Sequence, residues 1–254
     1  GIFFEEKGDK PDHLIFSDCI FKNCYAEDPS ILQIKDLDYN LTITNVTFES
    51  TINSGNGCLI KITPRTSDYY KVTFDKCTFS ELNCKGESCG AIGLWFVKDT
   101  NSKNIVEFKK TTFEHLTFSH SSDGGGAISI TKSADNKKTK IIVDSCTFYD
   151  IHSTNGNGGA INFNPEENNG FCSISVTKST FKQTYISNNE KNGQAIFIGP
   201  TTAIDNSITY CTFDNCCNEL TNKYSIYLNV KKIKFSNNLI TFLDSNQNHG
   251  CILS

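Results

Sequence analysis

The chain of 254 residues contains twelve cysteines, and two of them, Cys84 and Cys89, are close enough in sequence to act together. They enclose four residues in "NCKGESCG", so a disulfide between them would close a short loop. With His120 they could also bind zinc, but neither a CxxC pair nor a His-x3-His spacing supports such a site. We therefore predict a candidate disulfide between Cys84 and Cys89, with free thiols as the alternative, and expect no metal ion or cofactor.

Paired carboxylates are the residues that would hydrolyse a glycosidic bond. Asp144 and Asp150 flank one copy of a repeated motif, but the equivalent positions of the neighbouring copies hold no second Asp or Glu. Arg65, the single arginine, follows Pro64 in a connecting segment and is the only Arg that a lyase could use as its base. We identify no catalytic residues and expect no enzyme, while a polysaccharide lyase or glycoside hydrolase stays the alternative.

Two further groups of residues indicate contacts outside the chain. Asn40 and Asn45 begin the tripeptides Asn-Leu-Thr and Asn-Val-Thr, which match the acceptor sequence for N-glycosylation and also occur by chance in an Asn-rich chain. Tyr69, Tyr70 and Trp95 follow two successive copies of a second motif, and an aromatic patch there would suit a sugar or a protein. The alternative is that Trp95 covers the side of the core.

Composition excludes several classes of protein. The net charge of −4 lacks the basic excess that general nucleic-acid binding requires. No run approaches the ~18 apolar residues that a membrane-spanning helix needs, so we expect no transmembrane segment in this chain. With 37% hydrophobic residues, the chain is not of the disordered class.

A phenylalanine preceded by a threonine, or by an isoleucine in the first copy, recurs at intervals of 27 to 35 residues, and an apolar residue precedes it by five positions. In the last copy the apolar residue is Phe235 and the anchor is Phe242, so the spacing is seven positions, two more than in the other copies. The eight anchors are Phe21, Phe48, Phe79, Phe113, Phe148, Phe181, Phe213 and Phe242.

A second motif, Gly-small-aliphatic-x-aliphatic, follows each phenylalanine. Both motifs alternate apolar and polar residues, which is the period of a strand, and Asn, Gly, Ser and Asp fill the segments between them. The copies of the second motif include "GCLIK" at 57, "GAIGL" at 90, "GAISI" at 126, "GAINF" at 159 and "GCILS" at 250.

A unit of about 32 residues with short strands and no helical stripe is typical of one coil of a parallel β-helix. A propeller blade of ~40–45 residues is too long for this unit, and an antiparallel sandwich would not need the same Cys-Thr-Phe in each copy. We predict an all-β fold, a single-stranded right-handed parallel β-helix of about eight coils, as one domain over residues 1–254.

Cys19, Cys77, Cys146 and Cys211 stand two residues before an anchor phenylalanine in alternate copies. Equivalent residues of successive coils lie ~4.8 Å apart, so these cysteines are separated by about 9.5 Å, beyond the reach of a disulfide. We predict that they are buried thiols.

The repeated "GGAI", together with Phe-x-Asn at Phe21 to Asn23 and Phe213 to Asn215, resembles the polymorphic outer-membrane proteins of chlamydiae. It is also similar to related surface proteins of some protists. The resemblance implies a parallel β-helix displayed outside the cell and a role in adhesion or surface display. It implies no catalytic residues.

We therefore expect an extracellular or cell-surface rod that acts as an adhesin or display scaffold, with proteins or glycans as partners. "GIFF" at the start and "GCILS" at the end both resemble the second motif, so neither end shows a polar cap. From this we expect a piece of a longer repeat array, or copies that associate end to end into filaments.

Overall fold

A computed structural model describes residues 2–5, 13–26, 30–37, 40–53, 58–64, 70–86, 90–96, 104–120, 125–132, 139–164, 172–188, 190–201, 203, 205–216, 224–241 and 252–253. Over these residues the protein consists of β-strands and turns, without a helix. All strand pairs are parallel, and they form three long sheets that wrap around one core. The predicted class, an all-β parallel β-helix, is confirmed.

The second sequence motif forms the first sheet, in which like residues pair with like. Ile128, for example, pairs with Ile92 on one side and with Ile161 on the other, and all three side chains are buried. The nine strands, in spatial order, are β1 (Ile2–Glu5), β5 (Leu32–Leu37), β9 (Ile60–Pro64), β13 (Ile92–Phe96), β16 (Ile128–Lys132), β19 (Ile161–Asn164), β22 (Ile196–Thr201), β25 (Ile226–Val230) and β28 (Ile252–Leu253).

The residues before each anchor phenylalanine form the second sheet. Val72 and Phe74 point into the core while Lys71, Thr73 and Asp75 point outward, so the strand period of two separates the two faces. The eight strands, in spatial order, are β2 (His13–Ser17), β6 (Asn40–Thr44), β10 (Lys71–Asp75), β14 (Ile105–Lys109), β17 (Lys140–Asp144), β20 (Ser173–Thr177), β23 (Asn206–Thr209) and β26 (Ile233–Ser236).

The anchor phenylalanines lie on the third sheet, which has eleven strands. Its main path comprises β3 (Ile20–Lys22), β7 (Thr47–Glu49), β11 (Thr78–Ser80), β15 (Thr112–His120), β18 (Thr147–Ser153), β21 (Thr180–Ile186), β24 (Thr212–Asp214) and β27 (Leu239–Thr241). Three short strands extend it beside β15: β4 (Tyr25–Ala26), β8 (Ile52–Asn53) and β12 (Asn83–Gly86).

Seven of the anchor rings form one stacked column, hereafter the phenylalanine column. Successive ring centroids are 4.7 to 5.0 Å apart and the ring planes differ by 2 to 8°. Close-packed offset rings stabilise each other beyond the burial of their area. The members are Phe21, Phe48, Phe79, Phe113, Phe148, Phe181 and Phe213.

The eighth anchor is Ile240, and the prediction of Phe242 is wrong. Ile240 pairs with Phe213, and Phe235 pairs with Ile208. The last copy therefore keeps the five-residue spacing of the others and carries no extra residues. Phe242 itself lies outside the described residues.

In each of the seven coils that contain a phenylalanine of the column, two corners are made by single residues in the left-handed backbone region. One lies three residues before the anchor, as at Lys76 (φ 55°) and Lys178 (φ 50°), and the other lies two residues after it, as at His115 (φ 55°) and Asp150 (φ 52°). Such a φ costs a non-glycine residue roughly 1–2 kcal/mol. The packed coils above and below offset this cost, because they leave the corner no other backbone path.

The thiols of the repeated cysteines donate hydrogen bonds to their own chain. Cys77 Sγ lies 3.6 Å from the Asp75 carbonyl oxygen, and Cys146 Sγ lies 3.5 Å from that of Asp144, two residues earlier in each case. Thr111 fills the same slot and donates in the same way to Lys109, at 3.0 Å. The slot therefore favours a small side chain that carries a proton donor.

The glycine of the second motif is required by the neighbouring coil. A Cβ atom on Gly126 would overlap the carbonyl oxygen of Gly159, and a Cβ on Gly90 would overlap that of Gly126. At these positions the absence of a side chain permits the close approach of two backbones.

Candidate functional site

Three of the four candidate disulfide and glycosylation residues lie in the described part of the chain, at separate places of the fold. Cys84 is buried on β12, while Cys89 lies outside the described part of the chain, so that disulfide stays a prediction. Asn40 is half-buried, and its Oδ1 accepts a hydrogen bond of 3.1 Å from the backbone N–H of Lys71. Asn45 is exposed at a left-handed corner, and its Nδ2 donates to Asp18 Oδ1. Glycosylation of either residue stays a prediction.

One of the three residues predicted to form an aromatic surface, Tyr70, is buried. Tyr70 is only 1% exposed and belongs to the core, where its backbone N–H donates to Asn104 Oδ1 at 3.3 Å. Tyr70 cannot contact a partner from that position, so this prediction is wrong for it. The backbone of Trp95 lies on β13, but its side chain and the whole of Tyr69 fall outside the description.

Burial makes the repeated thiols inert. Cys77 and Cys211 are each 1% exposed, and desolvation raises the pKa of each thiol to about 11. For Cys146 the same cause raises the pKa to about 12. Because the thiolate is the reactive form, these three cysteines resist oxidation and alkylation in the folded protein. All three are buried free thiols, as predicted, but the fourth, Cys19, is a free thiol that is only half-buried, so the predicted burial is wrong for it.

A hydrogen-bonded group of four side chains lies across three coils of the third sheet. We call His115, Asp150, His152 and Tyr185 the histidine network. His115 Nδ1 lies 2.7 Å from Asp150 Oδ2, and His152 Nε2 lies 3.3 Å from Asp150 Oδ1. Tyr185 Oη lies 2.6 Å from His152 Nδ1. One carboxylate thus links two imidazoles, and one imidazole links the carboxylate to a phenol.

The repeat itself brings these residues together. His115 and Asp150 are the left-handed corners of neighbouring coils, two residues after Phe113 and Phe148. His152 and Tyr185 pair in register on β18 and β21. The phenylalanine column fixes the height of each coil, and the corner turns the Asp150 side chain toward both histidines.

The hydrogen-bond pattern defines where the protons lie. An ionised carboxylate can only accept, so His152 donates from Nε2 to Asp150 and His115 donates from Nδ1. The Nδ1 atom of neutral His152 is then the acceptor for the Tyr185 hydroxyl. Burial lowers the pKa of His152, and Asp150 partly opposes that effect, so this imidazole is neutral at pH 7. Burial, with a smaller contribution from Asp150, raises the pKa of Tyr185.

Aromatic and charged side chains extend this surface along the sheet. The ring of Tyr149 packs edge-on against that of His115, with centroids 5.1 Å apart. Lys182 Nζ lies 5.9 Å from the centroid of the Tyr149 ring and 3.8 Å from Asp214 Oδ2. The result is a half-exposed surface of rings, amphipathic side chains and paired charges on the outside of the β-helix.

Sequence reasoning missed the histidine network. His115 and His152 occupy different positions of the repeat, two and four residues after the anchor, so the repeat alone does not connect them. A signal was present, because His115 occupies the position in the neighbouring coil that is equivalent to that of Asp150. His152 reaches the same carboxylate from the other side of the corner.

Asp144 lies apart from the network, on the second sheet, where it pairs with Lys109 and Thr177 as expected. Among the described residues, no three His, Cys, Asp or Glu side chains are arranged to hold a metal ion. Within that same part of the chain, no helix is long and apolar enough to cross a membrane. Comparison with protein-family models, curated proteins and solved structures finds no match to this chain.

Proposed function

We propose that this protein is a rigid β-helical scaffold, extracellular or at a cell surface, that presents its outer faces to glycans or proteins. The observation that carries the proposal is the continuous register of the stack. Seven aromatic rings lie in one column, and the strands of three sheets pair around it. A fold held together in this way keeps outward side chains at constant spacing, which suits repeated or extended partners.

The third sheet offers the surface for binding. Its strands β15, β18 and β21 have nine, seven and seven residues, compared with three for β11. Tyr149 and Tyr185 lie half-exposed on this wider part of the sheet. Tyrosine combines an apolar ring with a polar tip, and such side chains contribute strongly to contacts with sugars and proteins.

The buried thiols are compatible with an oxidising compartment. Cys77, Cys146 and Cys211 are removed from solvent and protonated, so oxidants outside the cell would act on them slowly. An extracellular location therefore does not require these three cysteines to form disulfides.

A glycan array and a cell-binding assay test the proposal. We expect the protein to be retained, and the double variant Tyr149→Ala and Tyr185→Ala to lose at least about tenfold in affinity, a cost of the size found for interface aromatics. Tyr25→Ala is the matched control, since Tyr25 is 60% exposed on the same sheet but lies several coils away.

Equal retention of the double variant and the control would contradict the assignment of this surface. Degradation of the arrayed glycans would instead favour the polysaccharide lyase or hydrolase alternative. End-to-end association into filaments stays a prediction, which sedimentation velocity at increasing protein concentration checks.

A further inference from the structure

The hydroxyl of Tyr185 is held in a chain of hydrogen bonds that a display surface does not require. We propose that Tyr185 is a nucleophile whose proton is removed by His152, and that the site accepts an acyl group from activated carboxylic esters. This inference goes beyond the scaffold function, because it assigns a chemical reaction to one point of the surface.

The arrangement has the three parts that activate a hydroxyl group. The nucleophile oxygen lies 2.6 Å from the base, His152 Nδ1, within the range of ~2.6–3.2 Å that direct proton transfer needs. The base is in turn oriented by a carboxylate, since His152 Nε2 lies 3.3 Å from Asp150 Oδ1. Asp150 is itself held by His115 at 2.7 Å, so it cannot rotate away without breaking a second hydrogen bond.

The direction of proton transfer follows from these contacts. Asp150 accepts the Nε2 proton, so Nδ1 of His152 is the acceptor for the phenol, and the two rings lie with their centroids 3.7 Å apart and their planes tilted by 49°. When His152 takes up the phenolic proton it becomes an imidazolium, and the adjacent carboxylate stabilises that cation. His115 remains bound to the other oxygen of the same carboxylate.

The reaction is a transfer of the acyl group without oxidation or reduction. Tyr185 Oη attacks the carbonyl carbon of the ester as its proton moves to His152 Nδ1, and a C–O bond to the tyrosine forms. The tetrahedral intermediate breaks its bond to the leaving alcohol, which takes the proton back from His152. The products are an O-acyl tyrosine and a free alcohol.

A free phenolate is not needed for this step. Burial raises the pKa of Tyr185, so spontaneous ionisation at neutral pH is rarer than for an ordinary tyrosine. Reaction therefore depends on transfer to His152 during attack. An independent phenolate mechanism would instead accelerate steadily toward and above the ordinary tyrosine pKa of 10.0.

The experiment uses p-nitrophenyl acetate as the probe, and peptide mass spectrometry measures the rate of acetylation at each tyrosine. Tyr210 is the reference within the same molecule, because it is 61% exposed and more accessible than the half-buried Tyr185. We expect Tyr185 to react at least about tenfold faster than Tyr210. This expected ratio is smaller than the roughly 10²–10⁴-fold acceleration that a general base typically contributes. This comparison needs no variant and does not depend on the stability of a mutant.

Three variants then assign the roles. His152→Phe should reduce acetylation of Tyr185 to the level of Tyr210, and Asp150→Asn should reduce it partially, with a shift in its pH profile. Tyr227→Phe, on the first sheet, is the matched control and should change nothing. In the wild type, the rate at Tyr185 should rise as His152 loses its proton below pH 6.5 and reach a plateau near neutrality.

Equal rates at Tyr185 and Tyr210 would overturn the proposal, as would a rate that climbs without a plateau toward pH 10. Glycan retention distinguishes this failure from that of the scaffold. Tyr185→Phe keeps the aromatic ring, so it should abolish acetylation at this position and leave glycan binding within about twofold of the wild type.

Discussion

At the scale of single residues, the residue type at each position of the repeat is determined by its contacts within its own coil and with the neighbouring coil. Cys77 and Thr111 fill the same slot because each is small and donates to a carbonyl two residues earlier. Gly126 is required because the backbone of the next coil occupies the space of its Cβ. A residue type recurs because its surroundings recur.

Gly126→Ala tests this account of the second motif. The added methyl group would overlap the Gly159 carbonyl oxygen, so one coil must shift. We expect a loss of about 2–4 kcal/mol in the free energy of unfolding, measured by urea denaturation. Ser175→Ala, on the outer face of the second sheet, is the control; it removes one hydrogen bond to Ser207 and should cost no more than about 1 kcal/mol. An unchanged midpoint for Gly126→Ala would contradict the predicted close approach.

His152 should make stability dependent on pH. Its pKa is lowered in the folded protein, so below pH 6.5 the unfolded chain takes up a proton more readily than the native one. The stabilisation is therefore complete above pH 6.5 and is lost as the pH falls through the lowered folded value. Urea denaturation from pH 8 to pH 5 should show the wild type losing stability relative to His152→Phe. A difference that is constant over this range would refute the expectation.

At the scale of strands, the order and the register could be predicted from the sequence where a distinctive residue recurs at one position. The anchor phenylalanines identified the third sheet, and the Gly-Ala-Ile motif identified the first. The last coil was placed wrongly because Phe242 was chosen as the anchor for its aromatic ring. The five-residue spacing from Phe235 indicated Ile240 instead. Spacing within a strand is the stronger signal, since side-chain direction alternates strictly.

Contacts between side chains at different positions of neighbouring coils were harder to predict. The histidine network joins two different positions of the repeat through one corner, and a search for equal residues in equal slots does not detect it. Tyr70 was taken as a surface residue because it follows a copy of the second motif, but it is buried directly before the next strand, β10. The limits of a strand are decided by packing that the local sequence does not contain.

Ile240→Phe is the test at the scale of strands. Ile240 pairs with Phe213 at the end of the phenylalanine column, so a ring at this position should stack on Phe213 and extend the column. We expect a gain of about 0.5–1 kcal/mol in the free energy of unfolding. Ile240→Ala should instead lose about 2 kcal/mol, a small value for an aliphatic side chain because this one is only partly buried. Thermal and urea denaturation would measure both, and destabilisation by the phenylalanine would contradict the register.

At the scale of the whole molecule, the protein is one continuous stack. Its core is a single cluster that extends from the first described coils to the last, and each coil contacts the next through the same three sheets. The proposed display function and the proposed reactivity of Tyr185 both depend on this frame, since the residues of the histidine network come from three different coils. Loss of register at any one of these coils would separate the network.

The most direct test of the register is solution NMR of the protein with ring-labelled phenylalanine. Nuclear Overhauser contacts should connect Phe79 to Phe113, Phe113 to Phe148, and Phe148 to Phe181, as their centroid distances of 4.9, 5.0 and 4.7 Å require. Assignment by single Phe→Leu variants would identify each ring. An unbroken series of contacts between rings some 33 residues apart is the result we predict. Rings without contacts to their neighbours in the series would contradict the stacked β-helix and the functions proposed for it.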